Sequence, residues 1–244
     1  MSLKISNTAS PAGGEYEDLL ALEKSNFDRI VTKTCTLKPI PKLTKPVWRK
    51  EKLYSINNYG LGNYGYEVYS FYSFDKPYVI SVTGRYKELR KIVTNQKQPD
   101  FLEINISCPN SNKEIVSVGD LCFLPFKTPF GIKLPPLFSE SSLSDMAGDL
   151  NILRGFQKNL KYVVCCNTLP MEGGGVGGKI LKPVSLYNIQ HLSKHLRKDI
   201  QIWGCGGVSS VQDLLEYERS GCYGVQIDTT LVEHVNEIIQ EYKS

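Results

Sequence analysis

The sequence predicts an α/β barrel of eight strands, and three observations support this. The C-terminal half repeats one unit: a short apolar run, a glycine-rich turn, then a segment with helical spacing. Eight candidate strands can be placed along the chain, most of them separated by helical segments. The length, 244 residues, is close to the usual size of a (β/α)8 barrel and suffices for a large buried core.

Taken in order, a weak first strand is expected around Ser6–Gly13, a helix over Glu15–Ser25 and a second strand over Arg29–Cys35. The proline-rich, basic Pro39–Pro46 reads as a loop. Tyr54–Tyr78 is crowded with Tyr, Asn and Gly and reads as a substrate loop followed by an amphipathic helix at Tyr66–Phe74. Strand Tyr78–Gly84, helix Arg85–Gln96 and strands Phe101–Ser107 and Pro129–Leu134 come next. Between Ser107 and Pro129 no helical periodicity is visible, so the crossover after the fourth strand is expected to be reduced or irregular. Helix Ser141–Phe156 leads to the clean repeats. These are strand Tyr162–Asn167, helix Val184–Arg197, strand Ile200–Gly207, helix Ser209–Ser220, strand Tyr223–Thr230 and closing helix Leu231–Tyr242. Residues 1–244 are expected to form one barrel domain.

Composition narrows the function classes. Hydrophobic residues make up 41% and charged residues 22%, a globular balance. The net charge of +4 comes without a basic stripe, which argues against a nucleic-acid partner. The opening segment Met1–Ser10 lacks the apolar core of a signal peptide, and no apolar run is long enough to span a bilayer. Seven cysteines with no paired CxxC spacing suggest reduced thiols and a cytoplasmic protein. Cys165 and Cys166 read as small core residues on opposite faces of a strand. His191 and His195, spaced i,i+4, have no third ligand nearby and read as a solvated helix face, so no metal is expected.

In a parallel barrel the active site lies at the C-terminal ends of the strands. Lys33, Thr34 and Cys35 end the second strand; Asn105, Ser107, Cys108, Pro109 and Asn110 end the fourth. Lys133 lies on the fifth, Asn167 and Thr168 end the sixth, Gly206 and Gly207 the seventh, and Asp228, Thr229 and Thr230 the eighth. Amide side chains both donate and accept, which suits a ring of alternating C=O and N–H groups. The lysines suit an anionic ligand, and glycines at a strand-to-helix turn let backbone N–H groups approach a phosphate. A cysteine beside proline in a loop can act as base or nucleophile when its pKa is lowered.

The segment Asn105-Ile106-Ser107-Cys108-Pro109-Asn110 resembles the active-site loop of the class 1 dihydroorotate dehydrogenases. Further matches follow in that family's order. Thr32–Leu37 resembles its lysine strand, Ser55–Asn63 the substrate loop of class 1A, and Gly131–Pro136 its second lysine strand. Asn167-Thr168 resembles its Asn-Ser pair, and Gly174–Gly178 and Gly204–Gly207 its glycine turns near the cofactor phosphate. The resemblance implies an FMN-dependent oxidation of dihydroorotate to orotate in pyrimidine synthesis, with fumarate as acceptor and a homodimeric protein. It implies that Cys108 removes the C5 proton. Lys33, Asn57, Gly60, Leu61, Asn105, Asn110, Asn167 and Thr168 would hold substrate. Ala12, Lys33, Thr34, Asn105, Lys133, Gly178, Gly206, Gly207 and Thr229 would hold FMN.

The chain departs from this pattern in places. Ser111–Ile115 replaces the family's Pro-Gly-Lys-Pro stretch, Pro11-Ala12-Gly13 matches the first-strand segment only in part, and Asp228 stands where the last strand has glycine. A carboxylate there repels a phosphate by on the order of a kcal/mol when partly buried. These departures motivate an alternative reading: a catalytically degenerate relative acting as a structural subunit of a larger assembly.

Overall fold

The computed structural model describes residues 2–10, 13–43, 47–58, 60–95, 97–107, 115–172, 174–228 and 232–244. With strands numbered along the chain, eight run parallel around one core. Their order is β1 (Lys4–Asn7), β12 (Gly224–Ile227), β11 (Gln201–Cys205), β8 (Leu160–Cys165), β7 (Phe130–Lys133), β6 (Phe101–Asn105), β5 (Tyr78–Val82) and β2 (Ile30–Val31). A parallel bridge between Ser6 and Arg29 joins the first and last of these, so the sheet curls into a nearly closed barrel. The eight strands correspond to the eight expected; seven are shorter than their expected ranges, and β8 has the expected length but starts two residues earlier. β2 keeps only two residues, and Cys35 rejoins the sheet through an isolated bridge to Val82. β1 lies earlier than expected because the chain turns directly after it: Ser10 N–H donates to Thr8 O (2.7 Å) and Gly13 N–H to Ser10 O (3.1 Å).

The helices are α1 (Tyr16–Glu23), α2 (Tyr66–Ser70), α3 (Tyr86–Val93), α4 (Glu140–Phe156), α5 (Leu181–His195), α6 (Val211–Arg219) and α7 (Val232–Lys243). Local chemistry sets several starts. Ser139 Oγ accepts the Ser142 N–H at α4, Ser210 Oγ the Asp213 N–H at α6, and the Glu88 carboxylate the Arg85 N–H at α3. α5 begins at Leu181, earlier than its apolar spacing suggests. Pro183 is tolerated there because a first-turn N–H has no intrahelical partner to lose.

The crossover after β6, the fourth barrel strand, is irregular as expected. Among the described residues it contains one short 3₁₀ turn, Gly119–Phe123, and buries Val116, Val118, Leu121, Leu124 and Phe126 against the core. The carbonyls of this short turn need other donors. Gln157, just past α4, supplies them: Nε2 donates to Leu121 O (3.2 Å), Cys122 O (2.8 Å) and Leu124 O (2.8 Å).

Side-chain alternation divides β8 and β11 between two clusters. Val163, Cys165 and Ile202 join the large core between strands and helices. Tyr162, Val164, Trp203 and Cys205 form a smaller cluster within the barrel. Gly131 leaves room for this inner layer, since a Cβ there would sit 2.2 Å from Tyr162 Cε2. Gly131→Ala is therefore expected to overpack the barrel by about 1–3 kcal/mol. Calorimetry should show a fall in Tm of roughly 2–12 °C for a chain of this size.

One element was not expected. A second, antiparallel sheet of order β3 (Val47–Lys50), β4 (Ser55–Asn58), β10 (Gly174–Gly177), β9 (Leu169–Met171) lies beside the strand ends. Tyr54–Tyr78 is thus not loop throughout, and Gly174–Gly177 is strand rather than a glycine turn. The pairing joins segments far apart in sequence and leaves no room for a side chain: a Cβ on Gly174 would lie 2.2 Å from Asn57 O. Glycine composition argues against strand locally, and only the partner strand overrides it. Among the described residues no helix is long and apolar enough to cross a membrane.

Candidate active site

The C-terminal ends of the barrel strands and the small sheet enclose a cavity of about 380 Å³, within the roughly 300–1,000 Å³ typical of ligand sites. On its wall lie Lys33, Thr34, Asn57, Gly60, Leu61, Asn105, Lys133, Asn167, Thr168, Gly178, Gly206 and Gly207, all singled out from the sequence. Cys108, Asn110, Ala12 and Thr229, also singled out, lie outside the described residues.

One side of the cavity is an amide network built by neighbouring strand ends. Asn105 ends β6, and its Nδ2 donates to Thr34 Oγ1 (3.1 Å), which in turn pairs with Ser81 Oγ (2.9 Å). Asn105 Oδ1 accepts from Asn167 Nδ2 (3.1 Å) and Ser107 N (3.2 Å). Asn167 Nδ2 also reaches Ser107 O (3.1 Å) and Ser107 Oγ (3.2 Å), and its Oδ1 accepts the Thr168 N–H (2.9 Å). Asn167 therefore pins the residue from which the Cys108 segment departs. Asn105 keeps one N–H and Asn167 one carbonyl lone pair for a ligand.

Lys133 stands next to Asn105 in the β6–β7 register. It is buried, and its Nζ donates to Thr8 Oγ1 (2.6 Å) and Gln226 Oε1 (3.3 Å). Burial works against its charge, but Cys205, Glu103, Asp228 and Cys166 around it outweigh that, and its pKa is raised above the ordinary lysine value. Lys33 is half-buried and donates to Gly62 O (2.8 Å), which ties the substrate-loop segment to the end of β2.

The opposite end is shaped by glycines. Gly206 and Gly207 follow β11 with φ of +121° and +70°, a backbone bend that L side chains rarely adopt. A Cβ on Gly207 would lie 2.9 Å from Lys182 Cβ and 3.1 Å from Gly178 O, so the bend packs directly on the segment entering α5. That segment is in turn held to the β3–β4 hairpin by Ile180 N–H donating to Leu53 O (3.2 Å).

Several cavity residues were not anticipated. Cys166 is fully buried in the large core, as expected, but just past the end of β8 it also reaches the cavity wall. Burial and Cys205 push its thiol up to about 12, against the pull of Lys133. Thr8, Gln226 and the hairpin residues Lys50–Tyr54 also line the cavity. Gln226 did carry a signal, being a polar residue inside an apolar run three positions before Thr229. The hairpin carried none, because its position depends on β10. His191 bonds Ser144 Oγ (3.1 Å) and stacks on His195 at 4.6 Å, and no set of three or more metal-capable side chains exists among the described residues.

The chain is similar to known proteins over nearly its whole length. Residues 5–244 match the family model described as dihydroorotate dehydrogenase. A protein of Streptococcus pyogenes serotype M3 named "Putative dihydroorotate dehydrogenase A (fumarate)" is 30% identical over 264 residues, covering 92% of this chain and 83% of that protein. A protein of the same name from Streptococcus agalactiae serotype Ia is 31% identical over 273 residues, covering 96% of this chain and 86% of its own length. The crystal structure of DHODH in complex with ferulenol from Eimeria tenella has the same fold. Its TM-score is 0.76 at 18% identity, covering 98% of this chain and 79% of that one. With a model match over nearly its whole length and relatives at this identity, the chain belongs to the dihydroorotate dehydrogenase family.

Proposed function

We propose that this protein oxidises dihydroorotate to orotate with flavin mononucleotide and passes the electrons to fumarate. The observation that carries the proposal is the placing of the Asn105–Asn167–Thr34 network beside the buried Lys133 ammonium on one cavity wall. This donor set fits the flavin. Thr34, Asn105 and Lys133 offer a hydroxyl, an amide and a cation to the polar edge of the ring. The bend at Gly206–Gly207, with Gly178 beside it, lies at the end where the phosphate would rest. When bound, FMN supplies the acceptor for a hydride from C6 of dihydroorotate.

The chain's own residues do the rest. Asn105 and Asn167 hold the planar amide and carboxylate edges of the substrate, with Asn57, Asn110 and Thr168 completing the grip. Cys108 takes the C5 proton, and Asn167 fixes the start of its segment through both oxygens of Ser107. Lys33 holds the substrate loop through Gly62 O. The resemblance further supports a homodimer acting in the cytoplasm.

A second reading, a degenerate relative serving as a structural subunit, is favoured by one observation: the Asp228 carboxylate lines the same cavity. The visible spectrum separates the two. The expected result is a yellow protein with flavin bands that bleach under anaerobic dihydroorotate and return with fumarate. A colourless protein that takes up no added FMN supports the structural reading instead.

A further inference from the structure

Beneath the cavity, the barrel interior holds a chain of polar side chains that the proposed chemistry leaves without a role. Arg29, at the start of β2, is buried with its guanidinium 3.5 Å from the centre of the Trp203 ring and 4.4 Å from that of Tyr162. Tyr162 OH donates to Glu103 Oε2 (3.5 Å), and Gln226 Nε2 donates to the same oxygen at 2.6 Å. Gln226 Oε1 accepts from Lys133 Nζ (3.3 Å). Glu103, Gln226 and Tyr162 are fully enclosed.

The Gln226 amide has only one workable orientation here. Reversed, its carbonyl would meet the Glu103 carboxylate and its NH₂ would meet the Lys133 ammonium, leaving two repulsive contacts in a buried site. The amide is thus a polar spacer of fixed direction between an anion and a cation. An isolated long lysine side chain has rotamer freedom to lose, and two fixed acceptors remove it. Thr8 Oγ1 (2.6 Å) and Gln226 Oε1 (3.3 Å), themselves bonded at 3.4 Å, both hold the ammonium. We infer that Gln226, oriented by Glu103, is the positioning residue that sets where Lys133 Nζ stands on the cavity floor. Its consequence for the cofactor rests on the functional reading above; its effect on Lys133 does not.

The groups facing Lys133 come from every neighbouring strand: Glu103 on β6, Cys166 after β8, Cys205 on β11, Asp228 after β12, and the Thr8 hydroxyl after β1. Removing the Gln226 acceptor replaces a polar contact with an apolar one and should release a proton from Lys133 more readily.

The test has two readouts. In flavin-free protein with ¹⁵N-labelled lysine, the Lys133 ammonium is titrated by NMR in wild type and in Gln226→Leu. The expected result is at least a tenfold increase in its acidity. An unchanged titration in the folded variant overturns the inference, whatever the protein does with flavin. Gln226→Leu leaves Glu103 with one donor fewer and can fail to fold. Glu103→Leu combined with Gln226→Leu leaves no uncompensated carboxylate next to the amide site and is then titrated against Glu103→Leu alone, so that the lost charge cancels and the same two outcomes apply. Glu103→Gln keeps an acceptor for Gln226 Nε2 and should retain most of the Lys133 position. Its shift should therefore be smaller than that of Gln226→Leu, and an equal shift would mean that charge alone acts and would also overturn the positioning role.

The second readout is the reduction potential of bound FMN, measured by equilibration with a reference dye. A displaced cation stabilises the reduced, anionic ligand less. Gln226→Leu should lower the ratio of reduced- to oxidised-form affinity about tenfold, which for a two-electron couple is about 30 mV. If Lys133 shifts but wild type binds no FMN, the positioning role stands and the functional reading falls.

Discussion

Cys108→Ala is expected to abolish dihydroorotate oxidation while leaving the fold and flavin binding intact. Breaking a C–H bond next to a carbonyl requires a base held over that carbon, and such a base contributes about 10²–10⁴-fold. The described neighbours cannot substitute. Asn105 and Asn167 are amides and do not take up a proton, and each is held in the same network by the other. Lys133 is already a cation, with its pKa raised. Cys166 is close by, but its thiol is pushed up to about 12 and is the wrong species to accept a proton near neutral pH. Alanine removes only the Sγ, so packing should barely change. The check is anaerobic stopped-flow reduction of the bound flavin by dihydroorotate, and a Cys108→Ala rate equal to wild type would sink the mechanism. Cys108→Ser gives a finer reading. Its hydroxyl is a far weaker acid than a thiol, so residual reduction should appear only at higher pH.

Lys133→Met should cost both stability and cofactor affinity. The side chain keeps its volume, but Thr8 Oγ1 and Gln226 Oε1 lose the lysine donor, keeping only their own 3.4 Å bond, and the buried Glu103 loses its nearby compensating charge. Breaking a buried charge arrangement in this way costs about 3–5 kcal/mol, most of it from the anion left behind. Urea unfolding at neutral pH measures it. The pH dependence has a definite sign. Lys133 has a higher pKa folded than unfolded, so its stabilisation is fully present below the unfolded lysine value, about 10.4, and is lost as pH rises through the folded one. The gap between wild type and Lys133→Met should therefore be constant through the neutral range and close only at strongly alkaline pH. FMN affinity should fall in parallel. A variant that unfolds at the same urea concentration as wild type would show that the polar column does not depend on this cation.

Much of the barrel could be read directly from the sequence because its determinants are local. Apolar runs such as Tyr162–Cys165 and Ile202–Cys205 are strands because both faces of a parallel strand are buried, and the glycines that follow mark where the chain bends into α5 and α6. The irregular crossover was also legible: Val116, Val118, Leu121, Leu124 and Phe126 are buried without helical spacing. The strand-end rule then gathered the lysines, amides and glycines on one mouth, and the motif order pointed to a flavin dehydrogenase.

Two things were settled only by tertiary structure. The small sheet joins Ser55–Asn58 to Gly174–Gly177, and no local property of either segment favours a strand. A glycine run pairs there because a distant backbone fits against it without side chains in the way. The hairpin that lines the cavity follows from that pairing. The interior column is the second. Arg29, Glu103, Gln226 and Lys133 lie on four different strands or strand edges, and each taken singly is a polar residue in an apolar run. Alternation along each strand is enough to turn such residues to one face. Closure of the barrel determined that they meet, because only there does the Gln226 amide reach an anion with one end and a cation with the other. Alternation is a property of one strand, whereas a buried charge is satisfied across several, and that is why the first is written locally and the second is not.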